Sequence, residues 1–156
     1  MSEQYIIFQL NNDYLGIKLD HVKEIINIDT VFKIPNTPNY IEGLINLRDK
    51  VYTLFNLRKF FNLTTIDINL EENTSKILIV NIHSLSIGLK VDIVNEITII
   101  DESSINPPSE SSCYYNYLAG WAQIDDREIL ILNLPSLIKT KNTQNEAYIN
   151  ENFQHA

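Results

Sequence analysis

The chain has 156 residues, with 20 acidic side chains against 12 Lys and Arg, and a net charge of −8 at pH 7. No contiguous basic run exceeds Arg58-Lys59, so the chain lacks the phosphate-binding face of a nucleic-acid protein and is repelled by anionic membrane surfaces. A hydrophobic fraction of 44% with 21% charged residues fits one globular domain with a proper core.

Taken in chain order, the apolar pattern has a period of two. Ile6–Leu10 and Tyr14–Leu19 read as a hairpin across Asn11-Asn12-Asp13, with the turn chemistry of a three-residue loop. In the second strand Leu15, Ile17 and Leu19 point one way, and Tyr14, Gly16 and Lys18 the other. A connector at Asp20–Val22, with Asp as the expected cap of a single helical turn, leads to a third strand at Lys23–Ile28. Leu44–Leu47 and Val51–Asn56 form a second hairpin with Arg48-Asp49-Lys50 at its tip, and a short helix is expected at Leu57–Phe61.

The same series then returns. Ile77–Ile82 and Ser86–Val91 repeat the first hairpin across His83-Ser84, and Asp92–Val94 and Asn95–Ile100 repeat the connector and third strand. Leu118–Ile124 and Glu128–Leu132 repeat the second hairpin around Asp125-Asp126-Arg127, and Pro135–Ile138 the helical turn. Gly16–Ile28 and Gly88–Ile100 are identical at seven of thirteen positions, and all four glycines fall at matched places: Gly16 with Gly88, Gly43 with Gly120. Such glycines mark bulges or close backbone approaches. The extra residues of the second copy fall in the Pro107-Pro108 loop.

Five strands per copy are expected to close into a small barrel, which removes exposed edges. Leu78-Ile79-Val80 and Ile129–Leu132 are apolar on both faces, so each barrel should pack against the other. The seam of a duplicated fold is a natural binding place. Trp121 is expected to fill the core or the seam, and Cys113-Tyr114-Tyr115-Asn116-Tyr117 to be a packed loop anchoring the second barrel. The polar tail 139–156 is read as disordered, or as a weak helix docked through Tyr148, Ile149 and Phe153.

Chemistry for catalysis is sparse. His21, His83 and His155 have no metal-site spacing, Cys113 has no neighbouring His, and no glycine-rich run could cradle a phosphate. Neither a cofactor nor a metal is expected. A single cysteine excludes an internal disulfide and makes the cytoplasm the default compartment. Met1-Ser2-Glu3-Gln4 lacks a positive n-region, Tyr5–Phe8 is too short for a signal peptide, and no stretch approaches a membrane span.

Ile34-Pro35-Asn36-Thr37-Pro38-Asn39-Tyr40-Ile41-Glu42-Gly43-Leu44-Ile45-Asn46-Leu47-Arg48 resembles the signature of the CheW family, in which a proline-containing loop and a glycine lead into an Asn-Leu-Arg strand. The likeness continues through Val51–Leu57 and the second copy to near Ile138. It implies an all-β fold of two intertwined five-stranded SH3-like barrels with short helical turns. One CheW-like domain would span 5–138, with subdomains at roughly 14–61 and 76–138 and residues 5–13 contributing to the barrel pair. It also implies a non-catalytic adaptor coupling the cytoplasmic tip of methyl-accepting chemoreceptors to the regulatory domain of a CheA-type histidine kinase, at membrane-associated receptor arrays. A coupler of a type IV pilus chemosensory system shares this signature; a small ligand-binding barrel is the reading from a different class. By the resemblance Val22, Glu24 and Gly43 face the kinase, and Arg48, Ile87, Val94 and Ile97 the receptor. The family usually carries glycine after Asn-Leu-Arg. Asp49 stands there in this chain, so a slightly reshaped tip is expected.

Overall fold

A computed structural model of the protein describes residues 1–28, 30–63, 75–82 and 84–137. The first copy supplies β1 (Ser2–Leu10), β2 (Asp13–Lys18), β3 (Val22–Asn27), β4 (Ile41–Leu47) and β5 (Lys50–Asn56), followed by the short helix α1 (Leu57–Phe60). The second supplies β6 (Lys76–Ile82), β7 (Leu85–Val91), β8 (Ile93–Asp101), β9 (Leu118–Ile124) and β10 (Arg127–Leu132), followed by a helical turn over 134–137. The tail at 139–156, with its expected anchors, and His83 lie outside the described residues.

The strands form two five-stranded sheets, β8-β1-β2-β10-β9 and β3-β6-β7-β5-β4. Since β6 repeats β1, β7 repeats β2, and so on, the second order is the first with the copies exchanged. Each sheet takes the first hairpin of one copy and the third strand and second hairpin of the other. The copies join through two parallel contacts, β2 with β10 and β7 with β5. At these contacts Gly16 faces Ile131 and Gly88 faces Leu54. A Cβ there would stand 3.2 Å from Ile7 and 3.0 Å from Ile77 respectively, so the missing methyl makes room for the isoleucines packed above.

The all-β, intertwined architecture is as expected; the manner of closure differs. Among the described residues no copy closes on its own five strands, and the ladders of each sheet stay open, with β8 and β9 ending one and β3 and β4 the other. Connectors cover two of those edges instead. Phe32 exchanges two backbone hydrogen bonds of 2.8 Å with Leu44, and Asn106 exchanges bonds of 2.7 and 2.9 Å with Trp121. This requires the backbones to meet closely beside the matched glycines. A Cβ on Gly43, whose φ is +146°, would lie 2.3 Å from the Phe32 carbonyl oxygen, and one on Gly120 would lie 2.2 Å from that of Asn106.

Alternation along the strands builds three apolar clusters. Tyr5, Ile7, Ile129 and Ile131 fill the inside of the first sheet, and Ile45, Leu54, Ile77 and Ile79 that of the second. The opposite faces of the same strands, among them Ile6, Phe8, Leu78 and Val80, meet in a larger seam cluster. Strands apolar on both faces thus have a partner on both. Each fully buried side chain of this size contributes about 1.5–3 kcal/mol, so the seam is as much a core as either sheet interior.

The Tyr-rich loop is packed, as expected. Tyr114 and Tyr117 stack edge-on with Phe60 and Phe61 at centroid distances of 4.8–5.7 Å. The Tyr114 hydroxyl donates to Asp13 at 2.7 Å, and burial together with that carboxylate pushes its pKa far up. Trp121, by contrast, is half-buried and outside the three clusters, since its strand β9 is an edge, bonded among the described residues by the Asn106 connector.

Local boundaries moved for identifiable reasons. The first hairpin has a two-residue loop, because Asn11 takes φ 54° and Leu10 pairs with Asp13. Asp20 lies within a 3₁₀ turn (Leu19–His21) that has no side-chain cap, and its counterpart Asp92 forms only a bend. Asp92 is drawn into tertiary contacts instead. Its Oδ2 accepts from the buried backbone N–H of Asn11 at 2.7 Å, and Arg58 binds both its oxygens at 2.8–2.9 Å.

Candidate functional site

The β4–β5 hairpin turns through two residues, Arg48 at φ 51° and Asp49 at φ 66°, with Leu47 paired to Lys50. Two successive positive φ values define the twisted loop that suits a hairpin. Asp49 reaches it without glycine, so the tip keeps a regular two-residue form. The turn throws the Arg48 side chain across the sheet to Glu24 on β3. Both guanidinium nitrogens meet the two carboxylate oxygens at 2.7 Å, a bidentate pair. Arg48 is 73% exposed and Glu24 23%, so the pair lies at the surface, its carboxylate side sheltered.

Since β3 and β4 are opposite ends of their sheet, this ion pair closes by side chains what the ladders leave open. The other sheet has the same device with different residues: Arg127 of β10 bonds Glu96 of β8 and lies 5.1 Å over the Tyr14 ring. The glutamates match through the repeat; the arginines come from different positions of the hairpin.

Val22 is half-buried against the seam, and Gly43 is buried beneath the Phe32 carbonyl. Between β3 and the hairpin tip lies a cavity of ≈ 500 Å³, floored by Ile26, Ile45 and Ile77 and rimmed by Phe32, Arg48 and Asp49. Phe32 is 58% exposed and Val51 49%. Neither was singled out in the sequence, and Phe32, flanked by Val31 and Ile34 in the connector 29–39, carries no local signal that sets it apart.

Of the residues assigned to the receptor, Val94 is half-buried against the seam and Ile97 is 54% exposed on β8. Ile99, two residues on and 64% exposed, extends this apolar strip and was missed. Ile87 is 1% exposed, inside the seam cluster. Arg48 belongs to the sheet that β8 does not join, and its bonded partner is Glu24, a residue assigned to the kinase. The structure therefore unites one residue from each expected set in a single ion pair, and leaves Val94 and Ile97 on a separate strand.

Among the described residues no group of three or more His, Cys, Asp or Glu could hold a metal ion, and no helix is long and apolar enough to cross a membrane. Fold and site together define a class: a duplicated β scaffold with an ion pair and exposed apolar side chains at its sheet edges. The family model of the CheW-like domain matches residues 4–142, and the chain belongs to that family. It is 27% identical over 143 residues to the chemotaxis protein CheW of Klebsiella aerogenes, covering 90% of this chain and 84% of that one. It is 32% identical over 109 residues to that of Bacillus subtilis, covering 70% and 68%. The crystal structure of the scaffolding protein TtCheW from Thermoanaerobacter tengcongensis superposes with a TM-score of 0.80 at 34% identity, covering 88% of each chain.

Proposed function

We propose that the protein is a non-catalytic adaptor of a chemosensory complex, holding the regulatory domain of a CheA-type histidine kinase and the cytoplasmic tip of a chemoreceptor on one scaffold. Membership of the CheW-like family over residues 4–142 and the likeness to proteins named for chemotaxis support the class. The observation that carries the coupling is the Arg48–Glu24 pair. It links the hairpin tip to β3, so a partner that engages either residue changes what the other presents. Receptor state would then bias the kinase through differential contacts.

In this reading the kinase meets the surface of Val22, Glu24 and Phe32, with Gly43 holding the Phe32 connector in place beneath it. The receptor tip meets Arg48 and the apolar strip of Val94, Ile97 and Ile99, with Ile87 contributing only from within the core. An aliphatic strip suits the apolar stripe of a helical hairpin, and the arginine fork suits its carboxylates. The site of action is the cytoplasmic face of receptor arrays. Co-sedimentation of the purified chain with a CheA-type kinase and receptor-bearing membranes tests this: a ternary pellet at micromolar concentration is expected. Sedimentation of kinase and receptor unaffected by the chain, and none of the chain itself, overturns the reading.

A further inference from the structure

The two copies differ at one end of the sheets, opposite the β4–β5 and β9–β10 turns. In the first copy Glu42 accepts a hydrogen bond from the Asn56 amide and lies 3.5 Å from Lys59 and 4.0 Å from Lys90. Burial works against its charge, but these partners outweigh it and hold the carboxyl below its ordinary pKa. Through the repeat, Asn56 corresponds to Asn133, Lys90 to Lys18 and Glu42 to Ala119. Two of the three receiving groups recur, while Lys59 becomes Ser136 and the carboxylate is lost.

In its place is a cavity of ≈ 390 Å³, lined by Tyr5, Lys18, Ala119, Asn133 and Glu102. Asn133 caps the following helical turn through Oδ1, bonding the Ser136 N–H at 3.1 Å as Asn56 bonds that of Lys59 at 3.3 Å. The Asn133 side-chain nitrogen is left without an acceptor among the described residues. Tyr5 stands where the other copy has Ile77. The residue is 1% exposed, and its hydroxyl opens on the cavity, with no hydrogen-bond partner among the described residues. Burial raises the Tyr5 pKa, more than Lys18 lowers it, which keeps the phenol a neutral donor at physiological pH. Lys18 holds Glu3 at 3.2 Å and retains further N–H groups.

We propose that this cavity binds a small aliphatic monocarboxylate, whose carboxylate takes the place that Glu42 fills in the other copy. Tyr5, Asn133 and Lys18 donate to it, and Ile105 and Leu134 face its hydrocarbon part. Glu102 repels a second negative charge, which selects monoanions over dicarboxylates and phosphate. This site is independent of the adaptor reading and stands or falls without it.

The test is titration of the full chain followed by NMR, with butyrate as the probe and succinate and inorganic phosphate as comparators. Butyrate should saturate with a Kd on the order of 1 mM, ordinary for so small a ligand. Succinate and phosphate should bind at least tenfold more weakly. Tyr5→Phe should weaken butyrate about fivefold, the loss of one hydrogen bond. Ala119→Glu should abolish binding with the folded spectrum retained, because it supplies the carboxylate covalently. Absence of saturable butyrate binding, equal binding of phosphate, or unchanged binding in Ala119→Glu overturns the proposal.

Discussion

Arg48 is largely exposed, and it is already paired. An ion pair with one partner so open to solvent contributes about 0–1 kcal/mol. Arg48→Ala and Glu24→Gln should therefore each lower the free energy of unfolding in urea by less than about 1 kcal/mol, while reducing capture of kinase and receptor by severalfold. If denaturation shifts and capture does not, the pair is structural. Gly43 is the opposite case. Gly43→Ala would set a methyl 2.3 Å from a carbonyl oxygen at φ +146°, and should cost about 2–4 kcal/mol in the same experiment. Both residues were singled out by the motif. Their partners, Glu24 and the Phe32 carbonyl, were not, because they lie 24 and 11 positions away in sequence and only the folding of the sheet makes them neighbours.

Between elements, two polar clusters fasten the helical turn of the first copy to strands of both. Asp92 at the β7–β8 junction joins Arg58 of α1 and the backbone N–H of Asn11 in the β1–β2 loop. Its side chain is 10% exposed and that of Arg58 20%. Asp92→Ala strands a largely buried guanidinium and a buried N–H, and should cost about 3 kcal/mol in chemical denaturation. The sequence matched Asp92 with Asp20 as a turn cap. Only one of the two has an arginine within reach, since Pro135 replaces Arg58 in the second copy. Glu42 gives a pH signature. Its pKa is lowered in the folded state, so its contribution is present above the ordinary carboxyl value of 4.5 and is lost as pH falls through the folded value. Glu42→Gln should therefore flatten the stability profile below about pH 4.5 and leave other acid transitions in place, as urea midpoints across pH 3–7 would show. A profile identical to the parent's rules Glu42 out as a source of acid sensitivity.

For the whole molecule, the exchange of hairpins makes the two copies interdependent. A fragment of residues 1–63 has β1–β2 without β8, β9 and β10, and β3–β5 without β6 and β7. Each sheet would lose its centre or its flanks, and the seam cluster half its members. Fragments 1–63 and 75–156 should each lack a cooperative melting transition, and mixing them should restore strand circular dichroism and a single transition. Independent melting of either fragment would contradict the intertwined topology. By itself the sequence determined the strands, the repeat, the two-faced burial and the family, because alternation and glycine placement are local signals. The tertiary structure alone decided which copy's strands share a sheet, that edges close by connectors and ion pairs instead of ladders, and that Ile87 is core while Ile97 is surface. A period-two pattern is the same whichever strand lies alongside, so pairing, and the exposure that follows from it, is fixed only when the whole chain packs.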